Sequence, residues 1–306
     1  MKYTLILITC FLLVSVTQAQ ENPLLSLLSD SMRFHVQKSF VAATFKATRL
    51  VNIQTVEAPA KGALNFLIQH RFGQINSGSY NFFGLDNANL RLGFEFGITD
   101  RFTVGIGRSS YLKTFDGYLK YKLLRQTEDA GEMPVSVSLL SVASNYSQHI
   151  PKEVDSFLNI KYRTSFVTQL LIARKFSSRL SLQLVPTWLH FNLTPAAVDK
   201  NDLLALSMGA RFKFTRRMAL EAEYNYLPAN QVVSVSIYNS WSIGWDIETG
   251  GHVFQLVFSN SQSMTESQFN AQNIPGVSAS TGSWGRGDIY FGFNIFRIFT
   301  LKKQKQ

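Results

Sequence analysis

Large apolar side chains alternate with small or charged ones in a pattern that recurs about a dozen times between residues 64 and 296, each run of roughly ten residues ending in a turn or loop. Successive side chains of a β-strand point to opposite faces, so each run has one apolar and one polar face. In the first clear run, Leu90, Leu92, Phe94, Phe96 and Ile98 share one face, and Arg91, Gly93, Glu95 and Gly97 share the other. Charged side chains are unfavourable in a dry core but stable in a watery lumen. The pattern therefore predicts an all-β fold, a transmembrane up-and-down antiparallel β-barrel.

Four further runs have the same two faces. Their apolar sides are Leu119, Tyr121 and Leu123; Met208, Ala210, Phe212 and Phe214; Trp241, Ile243, Trp245 and Ile247; and Ile289, Phe291, Phe293 and Ile295. A secreted β-sandwich or a lipocalin-like barrel would also alternate. In those folds, however, charged residues such as Lys120 and Arg211 would have to face the core, which favours the membrane barrel.

We predict twelve strands, an even number as in bacterial outer-membrane barrels. They lie near residues 63–73, 89–98, 102–110, 115–125, 134–144, 165–176, 180–191, 203–214, 218–227, 239–247, 252–260 and 288–298. Connections at one end are short, and those at the other are mostly long and rich in Asn, Ser and Gly. Three short turns, at 98–104, 176–182 and 214–220, share a hydroxyl residue followed by polar residues, as tight hairpins require. The short turns and both ends of the barrel are expected on the periplasmic side.

The first 19 residues have the lysine, apolar run and small-residue site of a secretory signal peptide. Cys10, the only cysteine, lies within it. Residues 20–62 are expected to form a periplasmic extension, an extra strand over 39–50, or a plug that enters the lumen; a short helical patch at 24–28 also belongs here. The barrel is expected over 63–301 and a basic tail over 302–306. No later segment reaches the length of an apolar spanning helix.

Charge is the main chemical feature of the predicted lumen. Ten side chains are expected to point inward and to form either a solute path or a salt-bridge network: Arg71, Arg91, Glu95, Lys120, Lys122, Arg211, Lys213, Glu221, Glu223 and Asp246. With six cations against four carboxylates, this lumen is expected to tilt positive. The charges would either brace a narrow barrel by pairing or favour the passage of anionic or polar solutes.

The other chemical classes have weaker support. The net charge of +10 is dispersed along the strands, so we expect no nucleic-acid partner. The five histidines show no metal-binding spacing, and we expect neither a metal nor a cofactor. Ser109 or Ser110 with His190 is the one candidate for a lipid hydrolase, but serines are abundant and chance explains the pairing better. We therefore expect no enzyme.

Several ordered motifs also carry a resemblance. They are Gln69-His70-Arg71-Phe72-Gly73, Gly84-Leu85-Asp86, residues 91–101, Gly105-Ile106-Gly107-Arg108-Ser109-Ser110 and residues 116–126. Together they resemble an uncharacterised bacterial β-barrel family, a domain of unknown function found in Bacteroidetes-type outer membranes. The sequence departs from the family pattern at Asn52-Ile53-Gln54-Thr55, where the family often has a Gly-His-Ser run. The resemblance implies an outer-membrane location in a Gram-negative bacterium.

Barrel size limits the functions that these features allow. Eight-stranded barrels are filled by side chains, and barrels of sixteen or more strands hold open channels. With twelve strands, the sequence predicts a narrow or gated channel for small polar or anionic solutes, with loops 145–164 and 261–287 folded over or into its mouth. A non-conducting barrel that displays its external loops to a partner is the alternative, and a lipid hydrolase comes third. Outer-membrane lipid is the expected surrounding partner.

Overall fold

The computed structural model describes residues 39–128, 132–149, 159–271 and 283–301. Twelve strands account for most of them: β1 Ala63–Gln74, β2 Ala88–Gly97, β3 Phe102–Ser109, β4 Thr114–Leu124, β5 Ser136–Tyr146, β6 Thr164–Lys175, β7 Leu180–Phe191, β8 Asp202–Lys213, β9 Met218–Tyr226, β10 Ser240–Thr249, β11 His252–Ser259 and β12 Tyr290–Thr300. Helical segments are short: α1, Glu266–Ala271, and the 3-10 turns Ile75–Ser77, Ser79–Gly84, Tyr111–Lys113 and Trp284–Arg286.

The strands form one closed antiparallel barrel in which each strand pairs with its neighbours in sequence. β1 and β12 close the ring, with Leu67 opposite Phe296. All twelve predicted strands are present, and each predicted boundary agrees with the observed one within two residues. Closure removes the free sheet edges, so every strand is paired on both sides, as a chain inside lipid requires.

The outer surface of the barrel is apolar. Phe94, Phe212 and Trp245 are 43%, 48% and 45% exposed, although each lies in the middle of an alternating run. Their neighbours in sequence, such as Glu95 and Arg211, are buried on the inner face. This burial pattern confirms the predicted assignment of faces and leaves the outer side chains in contact with lipid.

The three similar turns have the same construction. In each, the residue before the hydroxyl residue donates its backbone N–H to the first residue of the next strand, as in Ile98 to Phe102 (2.9 Å). The hydroxyl oxygen of Thr99 then accepts from the backbone N–H of Phe102 (2.9 Å), and that of Ser177 accepts from Leu180 (3.0 Å). These turns define the short-turn end of the barrel; the opposite end is the long-loop end.

Residues 44–57, here called the luminal segment, lie inside the barrel, where all but Lys46 and Glu57 are buried. The segment enters at the short-turn end, where Phe40 bridges Thr127, and it turns back at residues 50–53. The strand predicted over 39–50 is wrong. Its alternating pattern instead belongs to a hairpin held by an Arg49–Gln54 bridge, with side chains directed at the barrel wall rather than at lipid.

A second segment enters from the long-loop end. Residues 260–271, here called the inserted loop, include α1 and are buried except for Gln262, which is half-buried. The described part of loop 261–287 thus lies within the mouth, as predicted. Of the helices in the described residues, none has both the length and the apolar composition needed to span a membrane. The predicted signal peptide, the helical patch at 24–28 and the tail 302–306 fall outside the described residues, as do parts of loops 145–164 and 261–287.

Candidate functional site

The turn of the luminal segment is held by Glu223 on β9. The Glu223 carboxylate accepts hydrogen bonds from the backbone N–H groups of Val51 (3.2 Å), Asn52 (2.9 Å) and Ile53 (3.0 Å). All four residues are buried, so these donors would otherwise lack partners. Because hydrogen bonds to an ionised acceptor are stronger than neutral ones, Glu223 is the main polar attachment of the turn.

Side-chain amides on three adjacent strands bind the carbonyl groups of the same turn. Gln255 on β11 donates to the Leu50 carbonyl oxygen (3.2 Å), whereas Gln69 on β1 and Asn294 on β12 donate to that of Val51 (3.3 and 3.0 Å). We call Gln69, Gln255 and Asn294 the wall amides. They hold the segment through individual side chains rather than through continuous sheet pairing.

Two wall cations also bind oxygens of the luminal segment. Arg71 donates to the side-chain oxygen of Asn52 (2.9 Å), and the Lys120 ammonium group donates to the carbonyl oxygens of Thr55 (3.2 Å) and Glu57 (3.0 Å). In the part of the chain that the structure describes, neither cation has a carboxylate oxygen within the 4.0 Å of a salt bridge. The luminal segment therefore supplies much of their polar environment.

Other predicted charges are satisfied within the wall. Arg91 binds Asp116 through two hydrogen bonds of 3.0 and 2.5 Å, and both side chains are buried. Glu95 accepts from the Asn65 amide (2.8 Å) and from the Tyr118 hydroxyl. These contacts give Arg91 and Glu95 polar partners within the wall itself.

Arg211 connects several carboxylates near the short-turn end. Its guanidinium lies 3.1 Å from Glu221, 3.4 Å from Asp246 and 2.7 Å from Glu248. Lys213 is half-buried and lies 3.7 Å from Glu248. This cluster pairs most of the charge that the sequence places on β8, β9 and β10.

Eight of the ten predicted lumen residues are buried on the inner face, and Lys122 and Lys213 are half-buried. Sequence reasoning missed Asp116, although it alternates with Lys120 on the same face of β4, and it also missed Arg49 and Glu266. Counting these, five buried cations (Arg49, Arg71, Arg91, Lys120 and Arg211) face six buried carboxylates (Glu95, Asp116, Glu221, Glu223, Asp246 and Glu266) in the described lumen. These buried side chains carry no positive excess; the predicted excess also counted Lys122 and Lys213, which are half-buried and lie outside this set.

The luminal segment and the inserted loop meet inside the barrel. The Arg49 guanidinium lies 2.8 Å from a Glu266 carboxylate oxygen, and both side chains are fully buried. Arg49 belongs to the segment from the short-turn end, and Glu266 begins α1 in the loop from the long-loop end. This ion pair joins the two obstructions of the lumen.

One side of the inner wall is apolar, which the alternating pattern did not reveal. Ten inward-facing side chains on β5–β8 form it: Leu140, Val142, Val167, Leu171, Ala173, Val185, Leu189, Phe191, Leu203 and Ala205. The signal was present as runs of apolar residues that break the alternation, such as Leu139-Leu140 and Leu203-Leu204. Such runs are typical of strands that are covered on both faces. We call this surface the apolar wall.

A cavity of about 380 Å³ opens at the short-turn end, beside the luminal segment. Lys46 and Glu57 of the segment line it together with Asn65, His252 and Phe296 of the barrel. Solutes at this end can therefore reach the side of the segment that faces β1, β11 and β12.

The candidate catalytic residues are not brought together. The Ser109 hydroxyl accepts from the Tyr111 backbone (3.1 Å), and that of Ser110 accepts from the Leu90 backbone (2.8 Å). His190 lies on β7, four strands away from β3, and its side chain binds Asp202 (2.9 Å). Among the described residues, no group of three or more histidine, cysteine or acidic side chains is placed to hold a metal ion.

Asp199 joins two loops at the long-loop end. Its carboxylate accepts from the backbone N–H groups of Val233 (2.7 Å) and Ser234 (2.9 Å) and from the Ser234 hydroxyl. Burial alone would raise the pKa of Asp199, but these hydrogen bonds outweigh it and hold the pKa below its ordinary value. The ionised form therefore stabilises the contact between the β7–β8 and β9–β10 connections.

A closed antiparallel barrel with an apolar outer surface and a filled, largely polar interior defines a membrane-spanning β-barrel protein, of the type found in Gram-negative outer membranes. The model of one family, described as Membrane bound beta barrel domain (DUF5777), matches residues 45–299. The chain belongs to this family, which confirms the resemblance to an uncharacterised membrane β-barrel family. The matched region includes nearly all of the luminal segment as well as the barrel.

Solved structures of other outer-membrane barrels are similar to the chain at low sequence identity. An outer membrane channel from Pseudomonas putida is 12% identical, with coverage of 79% of this chain and 97% of that chain and a TM-score of 0.42. Outer membrane phospholipase A from Escherichia coli is 9% identical, with coverage of 86% and 98% and a TM-score of 0.43. Omp33 from Acinetobacter baumannii is 8% identical, with coverage of 78% and 99% and a TM-score of 0.38. None of the curated proteins matches this sequence.

Proposed function

We propose that this protein is a gated outer-membrane channel for small solutes and that the luminal segment is its gate. The observation that carries the proposal is the way in which the segment is attached. Glu223, the wall amides and two cations hold it by separate side-chain hydrogen bonds, and the Arg49–Glu266 ion pair joins it to the inserted loop. A segment attached in this way can leave the lumen without breaking any strand pairing of the barrel.

The wall also has room for the segment at specific places. A Cβ added at Gly244 on β10 would lie 2.9 Å from a Val51 methyl group, and one added at Gly209 on β8 would collide with Leu50. The absence of side chains at these two glycines lets the turn sit against the wall. The gate is therefore seated in the barrel, and its sequence lies within the region matched by the family.

The balance of buried charge bears on the solute. Five cations and six carboxylates in the described lumen give no excess of positive charge that would select anions by field alone. Polar groups nevertheless line most of the wall, so we propose small polar solutes as the general class. We propose transport rather than catalysis because Ser109, Ser110 and His190 are held apart by their own contacts.

A disulfide between the gate and the wall tests the proposal. A Cβ added at Gly244 would lie 2.9 Å from the Cγ2 atom of Val51, which is close to the position that the sulfur of a cysteine at 51 would occupy, so the two side chains are near enough to be joined. We expect Val51→Cys/Gly244→Cys in a planar bilayer to stay closed under oxidising conditions and to open transiently after reduction. Cys10, the only native cysteine, lies in the predicted signal peptide and would not interfere.

Val51→Cys alone, treated in the same way, is the matched control and should show the same openings before and after reduction. Single-channel recording and the release of a trapped sugar from liposomes provide two measurements of opening. A folded, reduced double variant and a folded wild-type protein that both remain closed to ions and sugars would contradict the channel proposal. The non-conducting, loop-displaying barrel would then be favoured.

A further inference from the structure

The apolar wall is large, and two buried polar side chains lie among its residues, where the Gln169 amide donates to the Thr187 hydroxyl (3.0 Å). It spans four adjacent strands, β5–β8. Among the described residues of β5, β6 and β7, Lys175 is the charged side chain in the inward register; it lies at the short-turn end, where its ammonium group donates to the Ala42 carbonyl oxygen (2.8 Å). A water-filled pore has no need of ten inward apolar side chains, because they are unfavourable in water. The chemistry of this wall therefore requires an occupant.

In the closed state the two inserted segments are that occupant. Phe45, Leu50, Ile53 and Val56 of the luminal segment pack in one cluster with the apolar wall, and Phe269 of the inserted loop joins them. Each of these side chains is at most 5% exposed. When the luminal segment leaves, its four apolar side chains are withdrawn and the part of the apolar wall that they covered faces the lumen, while Phe269 stays with the inserted loop.

The same movement frees polar groups on the opposite side of the lumen. The wall amides lose the carbonyl groups that they bind, Glu223 loses its three backbone N–H donors, and Arg71 and Lys120 lose oxygens of the segment. Arg91 and Arg211 differ from these two cations, because each keeps a carboxylate partner within the wall. Arg71 lies nearer the long-loop end and Lys120 nearer the short-turn end, so the two are successive positions along the lumen.

We propose that the solute of this channel is a small amphipathic anion, whose alkyl or aromatic part contacts the apolar wall while its head group meets the wall amides, Arg71 and Lys120. The inference rests on the proposed function, because the site becomes available only when the gate opens. It also explains the composition of the gate: Phe45, Leu50, Ile53 and Val56 occupy the place of the apolar part of the solute. The polar backbone of the gate occupies the place of the head group.

Alkanesulfonates test the proposal, because hexanesulfonate and methanesulfonate share a head group and differ in the apolar part. We use the Glu223→Gln variant, in which the gate is weakened, and measure block of its chloride current in a planar bilayer. Hexanesulfonate should block at a concentration about tenfold lower than methanesulfonate, the effect of burying roughly two methylene groups. Protein-free bilayers exposed to the same sulfonates measure any direct effect on the lipid.

Two substitutions of the same type identify the surface responsible. Val167→Ser on β6 lies in the apolar wall, whereas Val253→Ser on β11 changes a buried inward valine on the other side of the lumen. Val167→Ser should remove most of the difference between the two sulfonates, and Val253→Ser should preserve it. The heat-dependent gel shift of a folded barrel shows whether each variant has folded.

Equal block by the two sulfonates in a conducting channel would overturn the amphipathic site and leave the gated channel intact. Retention of the difference in folded Val167→Ser would also overturn it. If no variant conducts, the proposed function fails, and binding in nanodiscs decides the site separately. Hexanesulfonate detected there by saturation-transfer NMR and weakened by Val167→Ser would support it, and absence of binding would overturn it.

Discussion

Glu223 should control how often the gate opens. Its carboxylate accepts three backbone hydrogen bonds from the turn of the luminal segment, at 2.9–3.2 Å. Glu223→Gln keeps the shape of the side chain but removes its charge and replaces one acceptor oxygen with a donor. In the closed state, the new amide N–H₂ would face the N–H of Asn52, to which Glu223 now offers both oxygens.

The size of the effect follows from these bonds. Hydrogen bonds to a charged group contribute about 1.5–3 kcal/mol and neutral ones about 0.5–1.5 kcal/mol, a difference of about 1 kcal/mol per bond. Three bonds give about 3 kcal/mol in the free energy of closing. Because each 1.4 kcal/mol changes an equilibrium roughly tenfold, the ratio of open to closed time should rise about 100-fold.

Single-channel recording measures this ratio directly. Asp116→Asn is the matched control, because Asp116 is also a buried inward carboxylate and its hydrogen bonds are with Arg91 of the wall. We expect Asp116→Asn to change the ratio far less than Glu223→Gln. A folded Glu223→Gln channel whose open-to-closed ratio stays within about twofold of wild type would refute the role of Glu223 as the attachment of the gate. A twofold change in this ratio corresponds to much less than the expected free-energy difference of about 3 kcal/mol.

Three further predictions concern other parts of the structure. Arg49→Met leaves Glu266 as an unpaired buried carboxylate, at a cost of about 3–5 kcal/mol, so the inserted loop should become sensitive to protease. Arg49→Met/Glu266→Met should restore much of the protection. Equal cleavage of the two variants would contradict the coupling between the luminal segment and the inserted loop. The Asp199 contact should be stable above the ordinary carboxyl pKa and lost as pH falls through the lowered pKa of Asp199. The protection factors for hydrogen exchange at Val233 and Ser234, which are corrected for the intrinsic effect of pH, should fall there in the wild type, whereas in Asp199→Asn they should not change over that range. Met208→Lys puts a charge on the lipid-facing surface in the middle of β8 and should lower the free energy of unfolding in urea by about 2–4 kcal/mol, with Met208→Leu as the control; equal stability of the two would contradict the lipid contact.

The barrel could be predicted from sequence because lipid and lumen impose opposite demands on neighbouring residues. Phe94 next to Glu95, or Arg211 next to Phe212, can satisfy both demands only in a strand of a closed sheet. The three similar turns could also be predicted, because each depends on residues that are close in sequence. In two of them a hydroxyl oxygen accepts a hydrogen bond from the first backbone N–H of the next strand. Local chemistry was sufficient for these features.

The contents of the lumen depend on contacts that no local pattern encodes. Residues 39–50 alternate as a strand would, but the same alternation serves a hairpin whose two sides face different walls. The pairing of Arg49 with Glu266 joins segments from opposite ends of the barrel. The apolar wall was hidden for another reason: where both faces of a strand are apolar, periodicity gives no sign of which residues point inward.

The closure of the ring between β1 and β12 has a consequence for biogenesis. The luminal segment precedes β1 in the chain, whereas β12 is the last strand to be synthesised and must meet the first. The barrel therefore stays open between β1 and the growing end of the sheet until β12 pairs with β1. The sheet can form around a luminal segment that is already in place. The luminal segment does not have to be inserted into a closed barrel. Its hairpin also gives the later strands a surface on which to pack.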